Sequence, residues 1–220
     1  MEIGAKVEVE VEMKMKVKTK IVCLGDSLTY GYGVVRAETW VSLAAGRTNL
    51  ELVNRGINGD TTGGMLARFR DETAAYSPDR VFLMGGSNDI FISGSADSAK
   101  SNMSALVHQT VALGIVPLIG TPPPLDVETL RQDWANLTDA LHAQEIGDDY
   151  AKWLRMFADV FNVQLVDFRG AFESVFKSVS DGERRHALYL DGLHPTPEGH
   201  RLMADVFCHS LLAGAPPTEN

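Results

Sequence analysis

Two cysteines stand in 220 residues, Cys23 and Cys208, far apart and with no further cysteine or histidine at metal-ligand spacing around either. That scarcity excludes a disulfide scaffold and a Cys/His metal site, and both thiols are expected to be buried. No stretch approaches the run of about 18 apolar residues that a membrane-spanning helix needs. Basic residues are outnumbered 20 to 29, for a net charge of −9. A phosphate-tracking surface requires a basic face, so no nucleic-acid partner is expected. Nucleotide fingerprints are missing as well: "GYGVVR" has Arg36 where the third glycine of G-x-G-x-x-G would stand, and no Gly-Lys-Ser/Thr follows any loop. No cofactor or metal is expected. The first twenty residues carry charges at every second position from Lys6 onward instead of the apolar block of a secretory signal. A cytoplasmic location is the expectation.

What remains is an ordinary globular composition, 45% hydrophobic and 22% charged, enough for one domain with a sizeable core. That domain is placed at residues 17–214, after an alternating extension at 1–16 and before a tail at 215–220. Short β-rich runs predict strands at Val17–Leu24, Glu51–Asn54, Arg80–Met84, Ile115–Ile119 and Gln164–Asp167. Amphipathic segments predict helices at Glu38–Arg47, Gly64–Ala75, Ser98–Leu113, Glu145–Phe161 and Pro197–Leu212, the last with Thr196 as N-cap and proline at its first position. Strand–helix alternation implies an α/β fold, a parallel sheet covered on both faces.

The unusual residues follow the strands. "GDSLTYG" follows the first, "NRGINGDTTGG" the second, "GGSNDIF" the third and "GTPPP" the fourth, while "DGLHPTPEGH" precedes the closing helix. In an open parallel sheet all of these are loops at the carboxyl edge, where ligands bind. A serine hydroxyl is a weak nucleophile without a base, and the base needs a third group to fix its tautomer. Ser27 is the candidate nucleophile, and "DGLHP" supplies His194 and Asp191. The residue before a proline is pushed out of helical geometry, so His194 belongs on an extended turn from which Asp191 can fold back onto the ring nitrogen facing away from Ser27. Acyl transfer also creates an oxyanion that needs donors. Asn88 offers a side-chain amide and Gly59 a backbone open to close approach. Asp26 and Asp89 are read as acceptors for loop N–H groups.

Together these blocks resemble the SGNH or GDSL hydrolases across nearly the whole chain: "GDSL" at 25–28, "NRGINGDT" at 54–61, "GSND" at 86–89 and "DGLHP" at 191–195. The resemblance implies a three-layer α/β/α sandwich with a central, mostly parallel sheet of about five strands, the flavodoxin-like SGNH hydrolase fold. It further implies a serine-dependent hydrolase of carboxylic esters that works through an acyl-enzyme. Ser27, Asp191 and His194 would form the catalytic triad, and the Ser27 N–H, the Gly59 N–H and the Asn88 amide the oxyanion hole. A small-molecule ester is the expected partner. Sugar O-deacetylase, lysophospholipase and thioesterase remain open, as does a non-catalytic carbohydrate- or acyl-binding module on the same fold.

Two further segments carry expectations. In residues 127–144, Leu130, Trp134, Leu137 and Leu141 recur at spacings of four, three and four, predicting one helix with an apolar stripe. The stripe is read as core or as a flap in which Trp134 and Leu137 line a substrate pocket. At the N-terminus, Val7, Val9, Val11, Met13, Met15 and Val17 alternate with Glu8, Glu10 and Glu12 and then Lys14, Lys16, Lys18 and Lys20. Against a second copy running antiparallel, Glu8 would face Lys18, Glu10 would face Lys16 and Glu12 would face Lys14, which favours a homodimer or larger homo-oligomer.

Overall fold

The structure, a computed structural model, describes residues 18–178 and 187–213. The N-terminal ribbon at 1–16 and the tail at 215–220 lie outside the described residues.

Five strands form one parallel sheet: β1 (Thr19–Gly25), β2 (Leu50–Gly56), β3 (Arg80–Met84), β4 (Val116–Gly120) and β5 (Gln164–Val166). Their order is β2-β1-β3-β4-β5. The chain therefore steps outward from β1 to β2 and then returns to the other side of β1 for β3. At that reversal the connections leave in opposite directions and open a crevice above the strand ends. Register makes the crevice level, because Gly25 pairs with both Gly56 and Met84.

The sheet is buried on both faces because alternate residues point opposite ways. On β3, Val81 and Leu83 enter one core and Phe82 and Met84 the other. The first core is closed by α3 (Thr62–Tyr76), α5 (Asp97–Ala112) and α7 (Ala140–Val160), through residues such as Phe69, Leu106 and Leu154. The second is closed by α2 (Trp40–Arg47), α8 (Phe168–Ser178) and α9 (Pro197–Ala213). Its centre is Trp40, with ring centroids of Phe82, Phe168 and Phe207 at 5.2, 5.5 and 5.1 Å. This is the three-layer sandwich expected, with all five strands close to their anticipated positions. Thr196 caps α9 as expected, its hydroxyl accepting from the Gly199 N–H at 3.2 Å.

Three elements depart from the sequence reading. The short helix α4 (Ser87–Ser93) and all of α8 were not anticipated. Cys23 is buried, and burial pushes its thiol well up, whereas Cys208 is only half-buried. The single helix expected over 127–144 does not form. The chain runs as a loop to a one-turn helix, α6 (Gln132–Ala135), and α7 starts afresh at Ala140 with Asp139 capping the His142 N–H at 3.1 Å. The reason is tertiary. The Asp126 N–H is taken by the Gly192 carbonyl at 2.8 Å and the Arg131 N–H by the Asp191 carbonyl at 3.0 Å, so these donors are committed to another loop. The apolar spacing is consequently split: Leu130 packs against the first core, while Leu137 and Leu141 are 68% and 67% exposed.

Candidate active site

Ser27 opens α1 (Ser27–Tyr30), a single helical turn directly after β1. Asp26 stands at the N-cap with its Oδ1 accepting from the Leu28 N–H at 2.9 Å, and Gly31 ends the turn in the left-handed region. The indole of Trp40 donates to the Leu28 carbonyl at 3.1 Å, which fastens the turn to the aromatic core below. Ser27 is thus held on a rigid support at the strand end.

His194 approaches from the loop between 187 and α9. That loop is closed by a bridge between Tyr189 and Pro195 and by the Leu190 N–H donating to the His194 carbonyl at 2.8 Å. His194 Nε2 lies 3.0 Å from Ser27 Oγ, and its Nδ1 lies 2.9 and 3.1 Å from the two carboxylate oxygens of Asp191. The backbone N–H groups of Leu193 and His194 donate to Asp191 Oδ1 at 3.2 and 2.8 Å. All three side chains are nearly shielded from solvent, at 7%, 3% and 5% exposure. Burial by itself would raise the Asp191 carboxyl. The hydrogen bonds from the His194 ring and backbone, the ring's charge and the Trp134 indole outweigh it and hold the group well below the usual carboxylate range.

The two donor candidates sit on loops tied to Ser27's strand. The turn after β2 is anchored by the Ile57 N–H donating to the Gly25 carbonyl at 3.0 Å and closed by the Asp60 N–H donating to Ile57 at 3.2 Å. Gly59 lies in that turn at φ +75°, a region that L side chains rarely adopt. Asn88, in the first turn of α4, donates its side-chain amide to the Asp60 carbonyl at 2.8 Å, so the two loops are hydrogen-bonded to each other. Beside it, the buried Asp89 accepts from the Thr62 N–H at 2.9 Å and from its hydroxyl at 2.7 Å. Asp26 and Asp89 both accept backbone N–H groups, as expected, but the donors stand in the first turns of helices α1 and α3 rather than in loops.

Several groups near the site escaped the sequence reading. The Tyr32 ring packs against the His194 ring with centroids 4.4 Å apart, a placement that the aromatic in "TYGYG" could have signalled. Trp134, named from the sequence as a candidate pocket residue, stands near the triad by another contact: its ring centroid is 5.8 Å from that of His194 and its indole N–H donates to Asp191 Oδ2 at 3.0 Å. Leu137 is not brought to the triad but stands at the surface. His200 is helical and fully buried; its Nδ1 accepts from the Trp40 N–H at 3.2 Å, and burial, with the nearby His194 charge, pushes it down to about 4. Nothing in the spacing of His200 revealed that environment. His142 has Glu145 at 3.7 Å on the exposed face of α7. Among the described residues, no group of three or more His, Cys, Asp or Glu is arranged to hold a metal ion, and no helix is long and apolar enough to cross a membrane.

Comparison with known proteins shows the family of the chain. A model of the GDSL-like lipase/acylhydrolase family matches residues 23–202. An acetylxylan esterase from Geobacillus stearothermophilus is 27% identical over 174 residues, 74% of this chain and 72% of that protein. An arylesterase from Vibrio mimicus is 26% identical over 201 residues, 88% of each chain. Among solved structures, a member of the lipolytic G-D-S-L family from Veillonella parvula superposes with a TM-score of 0.67 at 23% identity, covering 89% of this chain and 97% of its own. A catalytic mutant of the Geobacillus acetylxylan esterase gives 0.69 at 23%, covering 94% and 100%. The chain belongs to the GDSL-like lipase/acylhydrolase family. It is a carboxylic ester hydrolase.

Proposed function

We propose that the protein hydrolyses small carboxylic esters through an acyl-enzyme on Ser27. The observation that carries this is the unbroken chain of contacts from Ser27 Oγ through the His194 ring to Asp191, at 3.0 and 2.9 Å. Ser27 Oγ attacks the ester carbonyl carbon as His194 Nε2 takes its proton, and Asp191 stabilises the imidazolium that forms. The negative charge gathered on the carbonyl oxygen meets the Ser27 N–H, the Gly59 N–H and the Asn88 amide. Collapse breaks the bond to the alcohol, which leaves with the proton from His194. Water then repeats the sequence on the acyl-serine, releasing the carboxylic acid and restoring Ser27.

The test is a series of p-nitrophenyl esters of rising acyl length beside an acetylated xylo-oligosaccharide and an acyl-thioester, with fluorophosphonate labelling of the wild type and Ser27→Ala. Turnover of esters by the wild type, with labelling and turnover both lost in Ser27→Ala, is expected. Labelling that persists in Ser27→Ala, or no turnover of any ester, would overturn the assignment.

A further inference from the structure

The connector from β4 to α7 does more than link two elements. Its residues 126–134 are clamped onto the loop that carries Asp191 and His194. Two backbone bonds join them, Asp126 N–H to Gly192 O at 2.8 Å and Arg131 N–H to Asp191 O at 3.0 Å. The approach is so close that a Cβ at Gly192, itself at φ +77°, would stand 2.5 Å from Leu130 Cα and 2.6 Å from the Asp126 carbonyl oxygen. From this clamp Trp134 extends its indole N–H to Asp191 Oδ2, 3.0 Å away. That is the same oxygen that lies 2.9 Å from His194 Nδ1. The Arg131 guanidinium lies over the indole face, 5.4 Å from the ring centroid. Asp133 keeps that guanidinium occupied with bonds of 2.6 and 2.9 Å, while its nearest nitrogen stays 3.8 Å from Asp191 Oδ2.

We propose that Trp134 is a positioning residue for the triad, its indole N–H orienting the Asp191 carboxylate and moderating its pull on the His194 ring. A carboxylate with both oxygens occupied cannot rotate away from the imidazole. Oδ1 is filled by two backbone N–H groups, so Oδ2 is the oxygen that needs a donor besides His194, and Trp134 supplies it. A donor on Oδ2 also spreads the negative charge that the imidazolium feels. Without that donor the carboxylate attracts the ring proton more strongly. The titratable and charged groups facing the His194–Asp191 pair are Arg131 from the clamp, which Asp133 neutralises, Tyr32, whose ring centroid lies 4.4 Å from that of His194, and His200 of α9, which is held neutral by burial.

The inference rests on the catalytic reading above, and the experiment separates the two. Trp134→Phe keeps an aromatic ring against Arg131 and removes the N–H. 3-Benzothienylalanine at position 134 keeps the bicyclic shape and removes only the N–H, which covers the case in which phenylalanine packs poorly. Both are compared with wild type and Ser27→Ala on p-nitrophenyl acetate across pH 5–9. Both variants are expected to lose about tenfold in kcat with KM within threefold, and to move the acid limb of kcat/KM upward by about half a pH unit. A kcat and acid limb unchanged in the benzothienyl variant would overturn the inference, and so would a loss confined to KM, which would make Trp134 a substrate wall. Turnover retained in Ser27→Ala would instead sink the catalytic reading beneath it.

Discussion

The Asp26 carboxyl is a liability placed next to the nucleophile, and replacing it should stabilise the protein in a pH-dependent way. It is 1% exposed; Oδ1 accepts the Leu28 N–H, and Oδ2 is buried with no hydrogen-bond partner. Burial pushes its pKa from 3.8 up to about 7, the Leu28 N–H opposes that, and the charges of Asp60 and Asp89 add to it. Below pH 3.8 the group is protonated in folded and unfolded chains alike and carries no penalty. Between 3.8 and about 7 the folded chain holds a proton that the unfolded chain releases, so stability is lost as pH rises through this window. The difference of about 3 pH units corresponds to about 4 kcal/mol at pH 8. Asp26→Asn keeps the oxygen that caps Leu28 and removes the charge. For a domain of this size each kcal/mol moves Tm by about 2–4 °C, so the variant should melt at least about 5 °C above wild type at pH 8 and within about 2 °C of it at pH 4. Differential scanning fluorimetry across that range reads both numbers. A Tm difference that is equal at the two pH values, or negative at pH 8, would refute the reasoning.

Two further substitutions test the geometry. Asn88→Ala removes a donor aimed at charge that exists only in the transition state, and kcat is expected to fall by about 10²–10³ with KM within a few-fold; a rise in KM at constant kcat would make Asn88 a substrate-binding group. Gly192→Ala forces a Cβ into the backbone of Leu130 and Asp126 at a positive φ, so both thermal stability and turnover should drop, Tm by at least about 4 °C. A fully active, equally stable alanine variant would show that the clamp on the catalytic loop is loose.

The elements most legible in the sequence were those whose burial is uniform. Strands β1, β3 and β4 lie inside a sheet covered on both faces, and such strands read as short apolar runs bounded by turn residues. Helix α8 in fact carries an unbroken apolar stripe, Phe168, Phe172, Val175 and Phe176 at helical spacing, and Phe168 and Phe172 bury fully against the second core. The helix anticipated over 127–144 does not form although its apolar spacing is real: the Arg131 N–H, which such a helix would give to the carbonyl of Val127, is bonded to the Asp191 carbonyl instead.

Residue type and local order determined, without any coordinates, that Ser27 follows a strand, that His194 sits on a non-helical turn, and that Asp191 lies within folding distance of it. These are local facts, set by φ/ψ limits before a proline and by hydrophobic period, and they hold wherever the loops end up. Only the tertiary structure decided that Ser27 and His194, 167 residues apart, meet at 3.0 Å. It also decided that the Asn88 amide reaches the Asp60 carbonyl, that Asp26 is sealed from water, and that Trp134 serves Asp191 rather than a helix stripe. Each of these depends on strand register and on how one loop packs against another, and those are properties of the whole sheet that no short stretch of sequence contains.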